Sequence, residues 1–210
     1  MARTLKAAAK LAAADPVMAE LVERVGPLAV DQRRRGRPTD DLYGALLRTI
    51  VGQQLSVAAA RTIYGRVLDI YDGEVPTPKQ VLATDVADLR GAGLSGRKAE
   101  YIRDLAAHVE SGELEIDRLR EMPDEEVIAE IVAVRGLGRW SADMFLMFTL
   151  GRPDVLPVDD LGIRRAIKLA YGLDELPAAA EMERIAEPWR PHRTLACMYL
   201  WESLSAAPVE

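Results

Sequence analysis

Asp159 and Asp160 stand together after Leu156-Pro157-Val158 and just ahead of the apolar-periodic positions Leu161, Ile163 and Ile167. An acid at the start of a helical pattern is a natural N-cap, and capping is the commonest use of Asp in such a place. Two adjacent acids can divide the work, Asp159 capping the helix while Asp160 keeps a reactive carboxylate. A carboxylate at the positive end of a helix dipole is favoured in its charged form, which suits it to stabilising a developing cation better than to donating a proton. Upstream, Val134-Arg135-Gly136-Leu137-Gly138 sets a glycine turn between two helical patterns. Glycines there can take backbone conformations closed to other residues, and exposed amides at a helix N-terminus favour a phosphate oxygen. The same residues also fit an ordinary helix connection ended by a glycine C-cap.

A further polar interruption, Gly52-Gln53-Gln54-Leu55-Ser56, separates two strongly helical stretches. Its plain reading is a turn with Ser56 as the N-cap of the second helix. Two glutamines and a leucine at a tip could also fill the space in a duplex from which a base has been drawn out. Trp140, Trp189 and Trp201 are three of eleven aromatic residues. A tryptophan is more often core than ligand, yet Trp140 opens the helix directly after the glycine turn.

The elements that must hold these residues read as all-α, from the abundance of Ala and Leu, the helix-period apolar spacing and the scarcity of alternating β-branched runs. Punctuation by Gly and Pro predicts helices at 16–25, 41–51, 57–71, 78–83, 85–92, 96–111, 116–121, 124–133, 138–150, 160–171, 178–187 and 191–204. Two lobes are expected. One is central, at 42–150, with a helix-hairpin-helix near 125–150; the other joins 1–41 to 151–210. Two segments, LRGAGLSGRKAEYI and VRGLGRWSADMF, share a faint pattern of apolar residue, glycine turn, basic residue and helix.

With 210 residues and 49% hydrophobic content, the chain can bury a sizeable core. It has no apolar run of membrane-span length and no signal-peptide pattern at its start, so a cytoplasmic location without membrane contact is expected. Cys197 is the single cysteine and His108 and His192 are the two histidines, a composition that argues against disulfides, thiolate clusters and a conventional zinc site. The net charge of −6 is the wrong sign for coating nucleic acid through a diffuse basic field. A sparse set of contacts from backbone amides and a few arginines needs no basic average. Basic residues cluster at 33–37, 97–98, 135–139 and 164–168, and acidic ones at 110–130 and 174–187. The run from Arg33 to Arg37 reads as a solvated loop.

Five segments in order carry a resemblance: IVGQQLSVAAART at 50–62, LRGAGLSGRKAEYI at 89–102, VRGLGRWSADMFLM at 134–147, LPVDDLGIRRA at 156–166 and EPWRPHRTLACMYLW at 187–201. Together they resemble the helix-hairpin-helix DNA glycosylase superfamily, in its 3-methyladenine DNA glycosylase II (AlkA-like) branch. The resemblance implies a two-lobed helical fold with the active-site cleft between the lobes, a flipped base, and cleavage of its N-glycosidic bond. It places the catalytic aspartate on Asp160 and the pocket aromatics on Trp140 and Trp201. Met144 and Leu161 fall where some relatives have tyrosines, so substrate breadth is expected to differ there. Gln54 or Leu55 becomes the minor-groove wedge, supported by Gln53 and Ser56, and the amides near Gly136, Gly138 and Arg139 seat a backbone phosphate. The carbonyls of Val132, Val134 and Leu137 would hold a structural Na⁺ or K⁺, and no other cofactor is implied.

Trp140 also stands where lyase-active relatives place a Schiff-base lysine, and tryptophan cannot form that adduct. A monofunctional enzyme acting as a monomer on double-stranded DNA with alkylated bases is therefore expected, with water as nucleophile. The alternatives are a catalytically silent helix-hairpin-helix DNA-binding module, a bifunctional glycosylase/lyase, and a glycosylase shifted toward 1-methyladenine, ethenoadenine or hypoxanthine.

Overall fold

A computed structural model describes residues 2–28 and 41–205, and every regular element among them is a helix. The basic run from Arg33 to Arg37 lies outside the described residues. In chain order the α-helices are α1 (Ala2–Ala14), α2 (Pro16–Val25), α3 (Leu42–Gly52), α4 (Val57–Asp69), α5 (Pro78–Ala83), α6 (Val86–Gly91), α7 (Gly96–Ser111), α8 (Asp124–Ala133), α9 (Arg139–Phe145), α10 (Leu161–Tyr171), α11 (Ala179–Ala186) and α12 (Arg193–Ser205). Helix α1 is absent from the helices that the sequence pattern predicts. Its buried residues are Ala8 and Leu11 alone, so its apolar stripe is too thin to stand out. The segment expected as a helix at 116–121 is a 3₁₀ turn, Ile116–Arg120, and no helix among the described residues is long and apolar enough to cross a membrane.

Local chemistry sets most helix starts. Asp15, Asp41, Ser56, Asp85 and Ser95 each accept an amide two or three residues on, and Thr77 forms a capping box with Gln80.

The chain divides into two compact units, Pro38–Phe145, and Met1–Arg37 with Leu146–Glu210. The boundary falls inside the helix expected at 138–150: α9 ends at Phe145, and Leu146–Leu150 forms one π-helical turn. In the first unit, α3 is buried nearly all round, through Leu46, Leu47, Ile50 and Val51, and packs on α4, α7 and α9. Each such fully buried aliphatic side chain contributes about 1.5–3 kcal/mol.

In the second unit, α1 packs on α2, and α12 on α2 and α10. At its centre Asp15, 7% exposed, accepts hydrogen bonds from the Val17 amide at 2.9 Å, from Trp189 Nε1 at 2.9 Å and from the Tyr171 hydroxyl. Trp189 is thus core, with its indole N–H satisfied by a cap residue.

Candidate functional site

Asp160 caps α10: its Oδ1 accepts the Ile163 amide at 2.8 Å. This corrects the division of labour expected of the Asp pair, because the residue that caps is the candidate catalyst itself and Asp159 is an exposed turn residue. The reason is register. With the helix starting at Leu161, Asp160 occupies the N-cap position, from which its side chain reaches the Ile163 amide, and Asp159 falls one residue outside the helix. The same Oδ1 accepts Trp201 Nε1 at 3.0 Å, so donors from α10 and α12 fix the carboxylate's orientation. Trp201 is half-buried and packs against Phe148, ring centroids 6.0 Å apart. Leu161 is exposed beside Asp160.

Gly162 explains how an indole reaches this acid. A Cβ on it would lie 2.9 Å from Asp160 Oδ1 and 3.2 Å from Trp201 Nε1, tighter than ordinary contact. Gly162→Ala is therefore expected to change stability little, the preference of about 0.5–1 kcal/mol for Ala over Gly in a helix being offset by strain on the Asp160 cap. It should still lower base release roughly tenfold, because the indole and the carboxylate are forced apart, a loss of about 1.4 kcal/mol. Thermal melting alongside single-turnover kinetics checks the split; unchanged kinetics would remove Trp201 from the site.

In the other unit, the glycine turn joins α8 to α9. Gly136 has φ +87°, and a Cβ on it would meet the Tyr101 ring at 2.1 Å, so only glycine fits. Gly138 differs from the expectation for both glycines: it has no positive φ, and nothing lies within 4 Å of an added Cβ. The reversal is made at one residue because its flanks are already held, by the Arg135 amide on Asp104 Oδ2 at 2.8 Å and the Leu137 amide on the Val134 carbonyl at 3.1 Å. The Gly138 carbonyl instead starts α9 by accepting the Ala142 amide at 3.1 Å. Arg139 spends its guanidinium within the protein, on Glu125 at 3.2 Å and on buried Asp143 at 3.3 Å. What it can offer a phosphate is its backbone amide. Trp140, 41% exposed, and half-buried Met144 lie one turn apart on α9.

The polar tip between α3 and α4 belongs to the same unit. Ser56 caps α4 through the Ala59 amide at 3.2 Å, while Gln54 and Leu55 are exposed. Gln54 has φ +57°, a left-handed conformation that a non-glycine residue rarely takes. Gln53 Nε2 donates to the Gly136 carbonyl at 2.7 Å, tying the tip to the glycine turn.

Lys98, on α7, closes the arrangement by donating from Nζ to the Val51 carbonyl at 2.8 Å and the Gln53 carbonyl at 2.7 Å. Burial pushes its ammonium below the usual lysine value. In the sequence it stands out only as half of a basic pair. A signal was nonetheless available: a lysine in the first turn of a helix opposes the dipole, a local conflict that calls for a partner elsewhere. Gly162 and Phe148 were also missed, since their roles arise from contacts with Trp201, distant in sequence.

The sequence pattern of the HhH-GPD superfamily of base excision DNA repair proteins matches residues 47–191. DNA-3-methyladenine glycosylase 1 of Schizosaccharomyces pombe is 31% identical over 204 residues, covering 96% of this chain and 88% of that protein. A 3-methyladenine DNA glycosylase of the same organism, solved in complex with abasic DNA, superposes with a TM-score of 0.82 at 30% identity, covering 98% of this chain and 99% of that one. The chain spans 60% of the length of DNA-3-methyladenine glycosylase 2 of Escherichia coli, to which it is 27% identical. With more than half its length inside the family pattern and a helical fold shared end to end with a relative at 30% identity, this chain belongs to the HhH-GPD superfamily.

Proposed function

We propose that this chain is a monofunctional DNA glycosylase that excises alkylated purines of the 3-methyladenine type, acting as a monomer on double-stranded DNA. The observation that carries the reading is the Asp160 carboxylate, held in one orientation by the Ile163 amide and the Trp201 indole. As the C1′–N bond breaks, its electron pair leaves with the base and the sugar takes on oxocarbenium character. A preoriented carboxylate stabilises that cation and orients the water whose oxygen bonds C1′, its proton passing to the carboxylate or to solvent. The products are free base and an abasic site. A methylated purine is already cationic, so the Trp201 face can hold it by stacking and cation–π attraction. Trp140 offers no amine for a Schiff base, which supports hydrolysis over lyase chemistry.

The turn at Gly136–Arg139 supplies amides for a backbone phosphate, and Gln54 or Leu55 is the wedge. The carbonyls of Val132, Val134 and Leu137 are hard oxygen donors of the kind Na⁺ or K⁺ takes. Among the described residues no backbone amide donates to Val132 or Leu137, and the Val134 carbonyl keeps a second lone pair beside its bond from Leu137. The set fits such an ion, which would add positive charge beside the phosphate seat.

The test is incubation with methylated duplex. Expected are release of 3-methyladenine, strand breaks only after alkali, and no borohydride-trapped adduct. A trapped adduct would establish a lyase; DNA binding without release would establish a silent binding module. For the wedge, Gln54→Ala should weaken binding to an abasic-site duplex about tenfold, roughly 1.4 kcal/mol, while leaving undamaged duplex nearly unaffected. An equal loss on both would sink the wedge assignment.

A further inference from the structure

On the unit formed by Met1–Arg37 and Leu146–Glu210, a cavity of about 640 Å³ opens between α1, the Gly151–Pro153 segment and the start of α12. Arg3, Lys6, Lys10, Arg152 and His192 line it. Four guanidinium or ammonium groups around one cavity are out of character for a chain of net charge −6. Among the described residues, Arg3, Lys6 and Lys10 form no ion pair. The neighbouring carboxylate, Asp154, is already matched by Arg190 at 2.8 Å and Arg193 at 2.9 Å. Arg3 and Lys6 moreover sit near the positive end of the α1 dipole, where basic side chains are disfavoured unless an anion joins them.

His192 points the same way. Its Nε2 is buried and has no hydrogen-bond partner, leaving one polar atom of the cavity's residues unsatisfied. Burial, then the nearby Lys10 charge, holds its imidazole below the ordinary histidine value, with Arg3 acting in the same direction and Asp154 against it.

We propose that this cavity is a second phosphate seat, separate from the glycine turn, filled by a DNA backbone phosphate flanking the target nucleotide. Its position supports that occupant. Leu195 and Met198 line the cavity on the same helix that carries Trp201, and six residues of helix from Leu195 to Trp201 rise only about 9 Å. Met147 lines it too, next in sequence to Phe148, which packs on Trp201. Successive phosphates of one strand advance about 3.4 Å along the duplex axis. Phosphates two or three nucleotides from a base extruded at Asp160 and Trp201 are therefore within reach of this cavity. The choice of DNA as the source rests on the glycosylase reading; the phosphate chemistry does not.

The test uses Lys6→Gln/Lys10→Gln, both exposed on α1 and replaced without loss of helix propensity. For the parent, the double variant and a Lys79→Gln control on an exposed lysine elsewhere, duplex affinity is measured against salt concentration. In parallel, inorganic phosphate is titrated at constant ionic strength while the His192 ring proton is followed by NMR. The double variant should have a slope of log affinity on log salt shallower by about 0.9, the value for one phosphate no longer neutralised, and the control an unchanged slope. The parent's His192 signal should shift saturably with phosphate and the double variant's should not. A phosphate-dependent shift with an unchanged slope supports the seat but assigns it to small phosphates and overturns the DNA source. No shift and no slope change overturn the seat. If the parent itself fails to bind duplex, the glycosylase reading falls, and the phosphate titration still decides the seat.

Discussion

Asp160→Asn is expected to fold like the parent protein and to release 3-methyladenine from methylated duplex about 10²–10³ times more slowly. Both described donors to this carboxylate, the Ile163 amide and the Trp201 indole, end on Oδ1. An asparagine can keep its amide oxygen in that place, and Asn caps helices about as well as Asp. Cap, indole contact and helix start should survive, so the fall in rate reports the missing negative charge at the developing oxocarbenium ion. Single-turnover release at saturating enzyme, with thermal melting as the fold control, makes the measurement. Affinity for an abasic-site duplex should change little. Parental kinetics in this variant would show that Asp160 is a cap and nothing more. Asp160→Ala tests the complementary role, since it also removes the cap, at about 1 kcal/mol, and frees the indole.

The same substitution at Asp15 should have the opposite outcome. Asp15→Asn is expected to lower stability by about 3–5 kcal/mol and the melting temperature by on the order of 10 °C, with little effect on base release at temperatures where the variant is folded. Here both oxygens are spent. Oδ1 accepts the Val17 and Met18 amides at 2.9 and 3.4 Å, and Oδ2 accepts Trp189 Nε1 at 2.9 Å and the Tyr171 hydroxyl. Whichever way an asparagine turns, its NH₂ faces at least one N–H that can only donate, the Val17 and Met18 amides on one side or the Trp189 indole on the other, and the site is 7% exposed, so water cannot easily intervene. The Tyr171 hydroxyl is pushed far above its usual pKa, by burial first and then by Asp15, which keeps it a neutral donor. Parental melting in Asp15→Asn would show that the bond set contributes little.

The contrast between the two acids marks what was legible in the chain. Both cap a helix, and the sequence offers a cap at the Asp159–Asp160 pair by type and place. Which of Asp159 and Asp160 caps depends on the first helical residue, a matter of one position, and boundaries are where pattern reasoning is weakest. The helical class and most elements follow from apolar spacing that every residue of a helix reinforces. Helix α1 did not, because its burial is nearly limited to Leu11 and Ala8. Gly136 was legible as a turn glycine, but its need for the space beside Tyr101 was not. Gly162 and Phe148 likewise gain meaning only when α12 brings Trp201 to them. Lys98 was the missed opportunity, a charge at the wrong end of a helix whose partners are carbonyls of the tip.

Those carbonyl bonds have a mechanical consequence. Lys98 clamps the backbone before the exposed tip, and Gln53 bonds that backbone to Gly136, so tip and glycine turn form the two jaws of one preset caliper. Were the jaws on independently moving loops, each could engage DNA alone and the protein would grip any stretch of duplex. Fixed to each other, a turn that seats a phosphate and a tip that wedges, the roles proposed above, would impose a single spacing between a backbone point and the base stack. Intact, well-stacked duplex would resist that spacing, and a site with a weakly held base would yield to it. Scanning would then be a test of local stiffness, completed before any base reaches the carboxylate.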